Sequence, residues 1–551
     1  MNTYCNPMNL SYRFQVKGWS EQSLREAADP SVVFFKDRYW LFPSKSGGFW
    51  HSADLREWTF EPSPMLPTED YAPDVRVIDG QLYFTASRDK ATCPIYRTDD
   101  PLSGQWELVS EPLIFWDPNM FQDDDGRVYL YWGCACQRPV MGVEMDRATM
   151  TPLGEPVELI HQRDAELGFE RFNENNVGGH APWVEGAWMT KHEGRYYLQY
   201  AAPGTQFNVY ADGVYVSEES PLGPFELQAH NPFSQKAGGF ITGAGHGSTF
   251  ADGAGNLWHT ATMRISVKHP FERRLGLFSA GFDEDGVLFC NTNFGDYPTR
   301  FPDGGWDARS DAFAGWMLLS YRKACGATAS LEGFGPELAF DEDVRTYWAA
   351  PADADRPQLQ VDLGEVCTVN AVQINFAEHL CQQFEREGDP LMHRYLLEAS
   401  DDGETWRPLV DKRENDADVP HDYVELPAPA AARHVRLTIH HMPGGGTAAV
   451  SGLRIFGRGA GQAPPRVTGL TAQRDADDPC TARFKWDASA GAIGYNVRWG
   501  VAPDKLYCSW MVYEQCELEF HTLAAKQQYF VAVEAFNENG VAPLSERLEV
   551  C

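Results

Sequence analysis

The first 310 or so residues alternate apolar and polar positions in short runs, and the runs repeat. Five segments carry a turn followed by an aromatic strand: Lys36-Asp37-Arg38-Tyr39-Trp40, Asp79-Gly80-Gln81-Leu82-Tyr83, Asp125-Gly126-Arg127-Val128-Tyr129, Glu193-Gly194-Arg195-Tyr196-Tyr197 and Ala254-Gly255-Asn256-Leu257-Trp258. Each reads as a hairpin, in which Asp-Gly or Glu-Gly supplies the positive φ and β-formers follow. The repeats recur every 45 to 70 residues, roughly the length of a four-stranded propeller blade with loop insertions. Three blades share an outer-strand signature closed by an aromatic: His51 to Trp58, Thr98 to Trp106 and Ser217 to Phe225. The pattern predicts an all-β chain that opens with a five-bladed β-propeller over 1–315.

About 9 to 12 residues before each turn aromatic, a polar residue starts a strand: Asp29, Asp74, Asp117, Glu185 and His246. The innermost strand of a propeller blade begins beside the central axis, so five residues in equivalent register converge on one pocket. Singly, each has a plain structural reading. Asp29-Pro30 and Asp117-Pro118 are turn formers, Asp74 after Pro73 can satisfy backbone amides, and His246 can be a hydrogen-bonded core histidine. Together they crowd four carboxylates, which raises the pKa of some of them, a cost a purely structural site avoids.

After residue 320 the pattern changes. Clusters at Ala339 to Trp348, Leu359 to Gly364, Glu398 to Trp406 and Arg433 to Leu437 set off a second unit over 316–457. Arg458 to Pro465 reads as a linker. Beyond it Phe484-Lys485-Trp486, Tyr495 to Trp499 and Tyr529 to Val533 alternate as sandwich strands over 464–551.

Composition narrows the function. The 551 residues are too many for one core. A net charge of −32 argues against nucleic acid and anionic membrane as partners. No apolar run approaches a transmembrane helix. The 12 cysteines form no paired CxxC motif, so buried free thiols are expected ahead of disulfides or zinc. Met1-Asn2-Thr3-Tyr4-Cys5 lacks a basic and apolar leader, which predicts a cytoplasmic protein. Had a native leader been replaced by a single Met, the protein would be secreted. Oligomeric state is not encoded in these patterns.

Four stretches in order resemble glycoside hydrolase family 43: Ala28-Asp29-Pro30-Ser31-Val32-Val33, Trp116-Asp117-Pro118-Asn119-Met120-Phe121, Val184-Glu185-Gly186-Ala187-Trp188 and Gly245-His246-Gly247-Ser248-Thr249. The resemblance covers residues 5 to 300 and implies a propeller in which Asp29 is the general base, Asp117 tunes and orients the acid, and Glu185 is the general acid. Inversion needs such a pair about 6.5–9.5 Å apart, with room for a water. The resemblance also implies a central ion near His246 and substrate contacts at Arg264, Asp74, Trp50, Trp116 and His180. Ala187 stands where the family has Pro, and Tyr71 where it has Trp, which weakens transfer of substrate specificity. The Glu-Cys and Asn-Asp-Pro-Asn motifs of the retaining fructan hydrolases are absent.

Residues 316–457 resemble a discoidin (factor V/VIII type C) domain, related to carbohydrate-binding module family 32, which implies an eight-stranded jelly-roll β-sandwich with Asp341, Asp343 and Thr346 at its calcium turn. Residues 464–551 resemble a fibronectin type III domain, with Tyr529 at the tyrosine corner, and are expected to serve as a spacer or oligomer contact. The activity implied is inverting removal of terminal β-D-xylosyl or α-L-arabinofuranosyl units from an oligosaccharide or polysaccharide. It needs no cofactor, and calcium is the structural ion considered. The alternatives are a galactan-directed β-galactosidase, a non-catalytic glycan-binding propeller and, last, a metal-dependent deacetylase.

Overall fold

The computed structural model describes residues 2–15, 23–382, 388 and 390–551. Five antiparallel sheets run in chain order, four of them four-stranded meanders and the fourth a sheet of six strands. Their innermost strands are Ala28–Phe35, Tyr71–Ile78, Asn119–Gln122, Val184–His192 and Thr242–Ala251, and these touch in a closed ring. This is the predicted five-bladed propeller. The first hairpin turn takes two left-handed residues without glycine, Lys36 at 50° and Asp37 at 58°, whereas Asp79-Gly80 and Glu193-Gly194 place a glycine second. The N-terminal segment seals the ring: Thr3–Tyr4 pairs with Thr299–Arg300, and Met8, Leu10 and Tyr12 pack between the fifth and first blades.

A belt of hydrogen bonds joins neighbouring blades near the axis. Ser31 Oγ accepts the Val75 amide at 2.9 Å, Asp74 Oδ2 the Met120 amide at 2.6 Å, Asn119 Oδ1 the Met189 amide at 2.8 Å and Ser248 Oγ the Val32 amide at 3.2 Å. Trp188 Nε1 closes the remaining junction on the Thr249 carbonyl at 3.0 Å. Just ahead of the belt, four inner strands carry a β-bulge, between Ala28 and Ser31, Tyr71 and Asp74, Glu185 and Trp188, and Gly245 and Ser248. Each bulge holds a positive-φ residue: Asp29 (51°), Ala72 (44°), Gly186 (64°) and His246 (46°), with Asp117 (53°) at the matching place in the third blade. Bulges re-aim side chains and bend the strand, and here they turn the strand starts into the axis.

The belt corrects the register expected from sequence. Asp29 and Asp117 each lie three residues before a belt amide, those of Val32 and Met120, and His246 lies three before the belt carbonyl of Thr249. Asp74 lies one before Val75, so it is a belt residue, and its blade presents Ala72 at the catalytic level. Glu185 lies one position ahead of Gly186 and reaches the axis from the other end of its bulge.

The second domain is a jelly-roll sandwich of eight strands built on two long bent ones, Gln358–Phe376 and His421–His441. Bulges within Gln358–Phe376 let it serve both faces of a core that includes Trp348, Ile374, Tyr395 and Leu453. Two buried ion clusters bolt it to the propeller. Arg25 pairs with Glu378 at 2.7 Å and Asp418 at 2.8 Å. Arg454 pairs with Glu342 at 2.8 Å, next to Lys236 and Asp296.

The C-terminal domain packs a three-stranded sheet on a five-stranded one. The Ala524 amide donates to the Tyr529 hydroxyl, the tether expected of that tyrosine. The domain is no spacer: its core, with Trp499 and Phe520, is continuous with that of the fourth blade, with Leu198 and Tyr200. All 12 cysteines are free thiols.

Candidate active site

The bulges bring Asp29, Asp117, Glu185 and His246 together, all four largely buried. His246 Nδ1 stands 3.4 Å from Asp29 Oδ1 and 3.7 Å from Asp117 Oδ2. Its amide donates to Asp212 Oδ1 at 2.6 Å, and the next amide, that of Gly247, to Oδ2 at 3.0 Å. Gly186 is required beneath it, because a Cβ there would come within 2.7 Å of the imidazole.

Asp29 and Asp117 have opposite surroundings. Burial pushes the Asp29 carboxyl up, but Arg273, His246 and the hydroxyls of Ser44 and Thr262 outweigh it and hold the group below the usual carboxylate range. Ser44 donates to Oδ2 at 2.6 Å and Arg273 Nη1 lies 3.3 Å from Oδ1. Asp117 is pushed up to about 7, first by burial, with the charges of Glu185 and Asp29 adding to it against His246 and the Gly186 amide. His246 is driven down by burial, but the carboxylates around it outweigh that and raise it above its ordinary value.

Glu185 accepts from the Tyr210 hydroxyl on Oε1 at 2.6 Å and from the Cys134 thiol on Oε2 at 3.2 Å. Ligating atoms of Asp117, Cys134 and Glu185 lie within 4.8 Å of one another. Asp117, raised by its burial and by the charge of Glu185 beside it, is the carboxyl of this group that can hold a proton. The site therefore keeps Asp29 charged and sets a proton-holding Asp117 beside Glu185.

Other expected contacts fall elsewhere. Asp74 is buried and saturated by Asn119, the Met120 amide and Ser31, so it offers nothing to a substrate. Trp50 is wholly buried, donates to Ser11 Oγ at 3.3 Å and packs on Phe60; it is blade core. Trp116 is half-buried beside Asp117. His180 is exposed, edge-on to Phe172 at 5.6 Å. Arg264 is buried with its Nη1 on Glu174 Oε1 and on the Gln206 carbonyl at 3.2 Å.

Glu174 belongs to the 161–183 insertion, which the C-terminal domain clamps. Arg171 forms a two-point pair with Asp478 at 2.6 and 2.8 Å, Gly168 donates to the Leu523 carbonyl, and Thr522 donates to Asn176 Oδ1. The sequence reading missed Arg273, Tyr210 and Cys134 as partners of the carboxylates. Arg273 had a signal, a cation inside a strand where a partner was owed. Tyr210 and Cys134 had none, since their contacts depend on how blades three and four meet.

Neither expected ion site fits its residues. His246 Nδ1 already faces two carboxylates, and among the described residues the group of close ligating atoms excludes it. In the second domain, Thr346 Oγ1 donates to Asp341 Oδ2 at 2.7 Å and the Asp343 amide to Oδ1 at 3.1 Å, while Asp343 Oδ1 caps the Arg345 amide. Asp341, Asp343 and Thr346 form a self-satisfied turn, and burial pushes Asp341 up to about 6.

Residues 24–288 match the family described as glycosyl hydrolases family 43, and residues 325–453 match the F5/8 type C domain. A β-D-galactofuranosidase of Aspergillus niger is 27% identical over 259 residues, 40% of this chain and 69% of its own. A β-xylosidase of Xylanibacter ruminicola is 28% identical over 162 residues, 26% of this chain and 46% of its own. A solved structure described as a glycoside hydrolase superposes with a TM-score of 0.47 at 19% identity, over 78% of this chain and 97% of that one.

Proposed function

We propose, on the premise that this chain carries a glycosyl hydrolase family 43 domain at residues 24–288 and an F5/8 type C domain at 325–453, that it removes terminal β-D-xylosyl or α-L-arabinofuranosyl units from a glycan with inversion. Asp29 takes a proton from water as the water oxygen bonds to the anomeric carbon. The bond from that carbon to the leaving oxygen breaks on the opposite face, and Glu185 gives its proton to the leaving oxygen. Asp117 holds a proton next to Glu185 and orients it. No cofactor enters these steps.

The observation that carries this reading is the split between Asp29, held ionised by Arg273, and the Asp117–Glu185 pair, where Asp117 is lifted to about 7. A base must be charged and an acid protonated at the same pH, and environments that push two carboxyls apart mark those roles. A lectin has no use for that cost. Arg264, two residues along the strand from the Thr262 hydroxyl that serves Asp29, pairs with the half-exposed Glu174 of the insertion, which favours action on a chain end. The second domain, bolted through Arg25 and Arg454, braces the propeller, and the C-terminal sandwich, read as fibronectin type III, braces the insertion.

A panel of aryl β-xyloside, α-L-arabinofuranoside, β-galactoside and β-galactofuranoside tests the reading. Turnover of either pentoside, abolished by Asp29→Asn, supports it. Turnover confined to a galactoside moves the substrate to hexosyl chains, and no turnover of any member contradicts the proposal.

A further inference from the structure

The thiol of Cys134 touches the group that the mechanism requires to move a proton, and no step above uses it. Its place is set by the backbone. After the second strand of blade three, Val128–Trp132, the chain crosses to blade four, and Cys134–Ala135 pairs antiparallel with that blade's inner strand. Cys134 stands directly opposite Glu185 in this ladder, so both side chains leave the same face. The thiol then donates to Glu185 Oε2 at 3.2 Å, while the stronger hydroxyl donor, Tyr210, takes Oε1 at 2.6 Å. Burial foremost, with Asp117 and Glu185 adding to it, raises the Cys134 thiol well above its usual range, so it remains an S–H donor throughout the working pH range.

The two oxygens of Glu185 are therefore unequal. Oε1 is committed to a short hydroxyl bond. Oε2 meets a donor that is weak because sulfur polarises S–H little. A strong donor at Oε2 would stabilise the carboxylate and weaken its hold on a proton; no donor would leave a buried oxygen unsatisfied. We propose that Cys134 is a positioning residue for the acid: its weak thiol donor marks Oε2 of Glu185 as the oxygen that carries the transferred proton and sets the pH at which that proton is lost. The inference rests on the reading of Glu185 as the acid.

The test is the pH dependence of kcat/KM for full-length wild type, Cys134→Ser and Cys134→Ala on an aryl glycoside that the wild type turns over. Serine supplies a stronger donor and moves the alkaline limb to lower pH. Alanine removes the donor and moves it to higher pH. Shifts of about half a unit to one unit are expected, from the gap between weak and charge-assisted hydrogen bonds. With a dinitrophenyl leaving group, which needs little protonation, the three enzymes converge, and Cys136→Ser follows wild type throughout. Two limbs that stay put, or that move the same way, overturn the proposal. So does failure of both variants to fold, which would assign the thiol to packing. If Glu185→Ala retains wild-type activity on poor leaving groups, the assignment of the acid has failed, and the Cys134 proposal falls for that separate reason.

Discussion

His246 presents Nδ1 to Asp29 Oδ1 at 3.4 Å and thereby ties the start of the fifth blade's inner strand to the start of the first. A cation between Asp29 and Asp117 lets both carboxyls stay buried. Without it the desolvation of three acids in one pocket would be uncompensated. His246→Ala is expected to move Asp117 further up and to lower kcat/KM by about 10²-fold or more, the scale of a disturbed acid–base pair. His246→Ala with a wild-type pH profile would remove the imidazole from the electrostatics of the site.

Arg273 should matter as much to the base. It pairs with Glu26 at 2.7 Å and with Asp29 at 3.3 Å, and it heads the forces that counter the burial of Asp29. The folded-state pKa of Asp29 is depressed, so the base is charged above that value and lost as pH falls through it. Arg273→Gln raises the value, and the acidic limb of kcat/KM should move to higher pH, with the alkaline limb unchanged. Kinetics at constant ionic strength across the acid range check this.

Acid should loosen the junction between the propeller and the second domain. Burial alone would push Glu378 up, but Arg25 and His393 outweigh it and hold its carboxyl far below the usual range. A depressed carboxylate stabilises the fold above its unfolded pKa, near 4.3, and that stability is lost as pH falls through the folded value. Glu378→Gln leaves Arg25 short of a partner in a buried site, at a cost of about 3–5 kcal/mol. Thermal unfolding should show the variant well below wild type at pH 7, and the gap narrowing in acid.

The C-terminal domain should be felt in KM. Asp478→Ala breaks the two-point pair with Arg171 that holds the 161–183 insertion. Because Asp478 is 35% exposed, screening limits the stability cost to under about 1 kcal/mol. The insertion carries Glu174 to Arg264. KM is expected to rise several-fold with kcat nearly unchanged, which steady-state kinetics and an unchanged unfolding midpoint would establish.

Calcium should not stabilise the second domain. The Asp341 turn closes on its own amide and hydroxyl donors. Millimolar calcium or a chelator is expected to leave the unfolding midpoint in place, and a rise with calcium would contradict the turn as described.

The propeller was legible in sequence because each blade repeats a hairpin turn and an aromatic strand, and both are local. The carboxylates were legible for the same reason, as strand starts. The offsets were not: a bulge re-aims side chains without marking the sequence, so Asp74 was placed at the level that Ala72, two residues earlier, occupies, and Glu185 was placed level with Asp29. Trp50 shows the converse, since an aromatic on an inner face reads alike whether it lines a pocket or fills a core. The C-terminal domain read as a spacer because its apolar residues could all be spent on its own sandwich, whereas Trp499 and Phe520 belong to a core that continues into blade four.

The central claim is inversion by Asp29 and Glu185. The most direct test is proton NMR of the first product released from an aryl β-xyloside or α-L-arabinofuranoside, recorded before mutarotation. The account predicts the anomer opposite to that of the substrate, and a Glu185→Ala variant whose loss of rate grows as the leaving group becomes poorer. A product of retained configuration would contradict it.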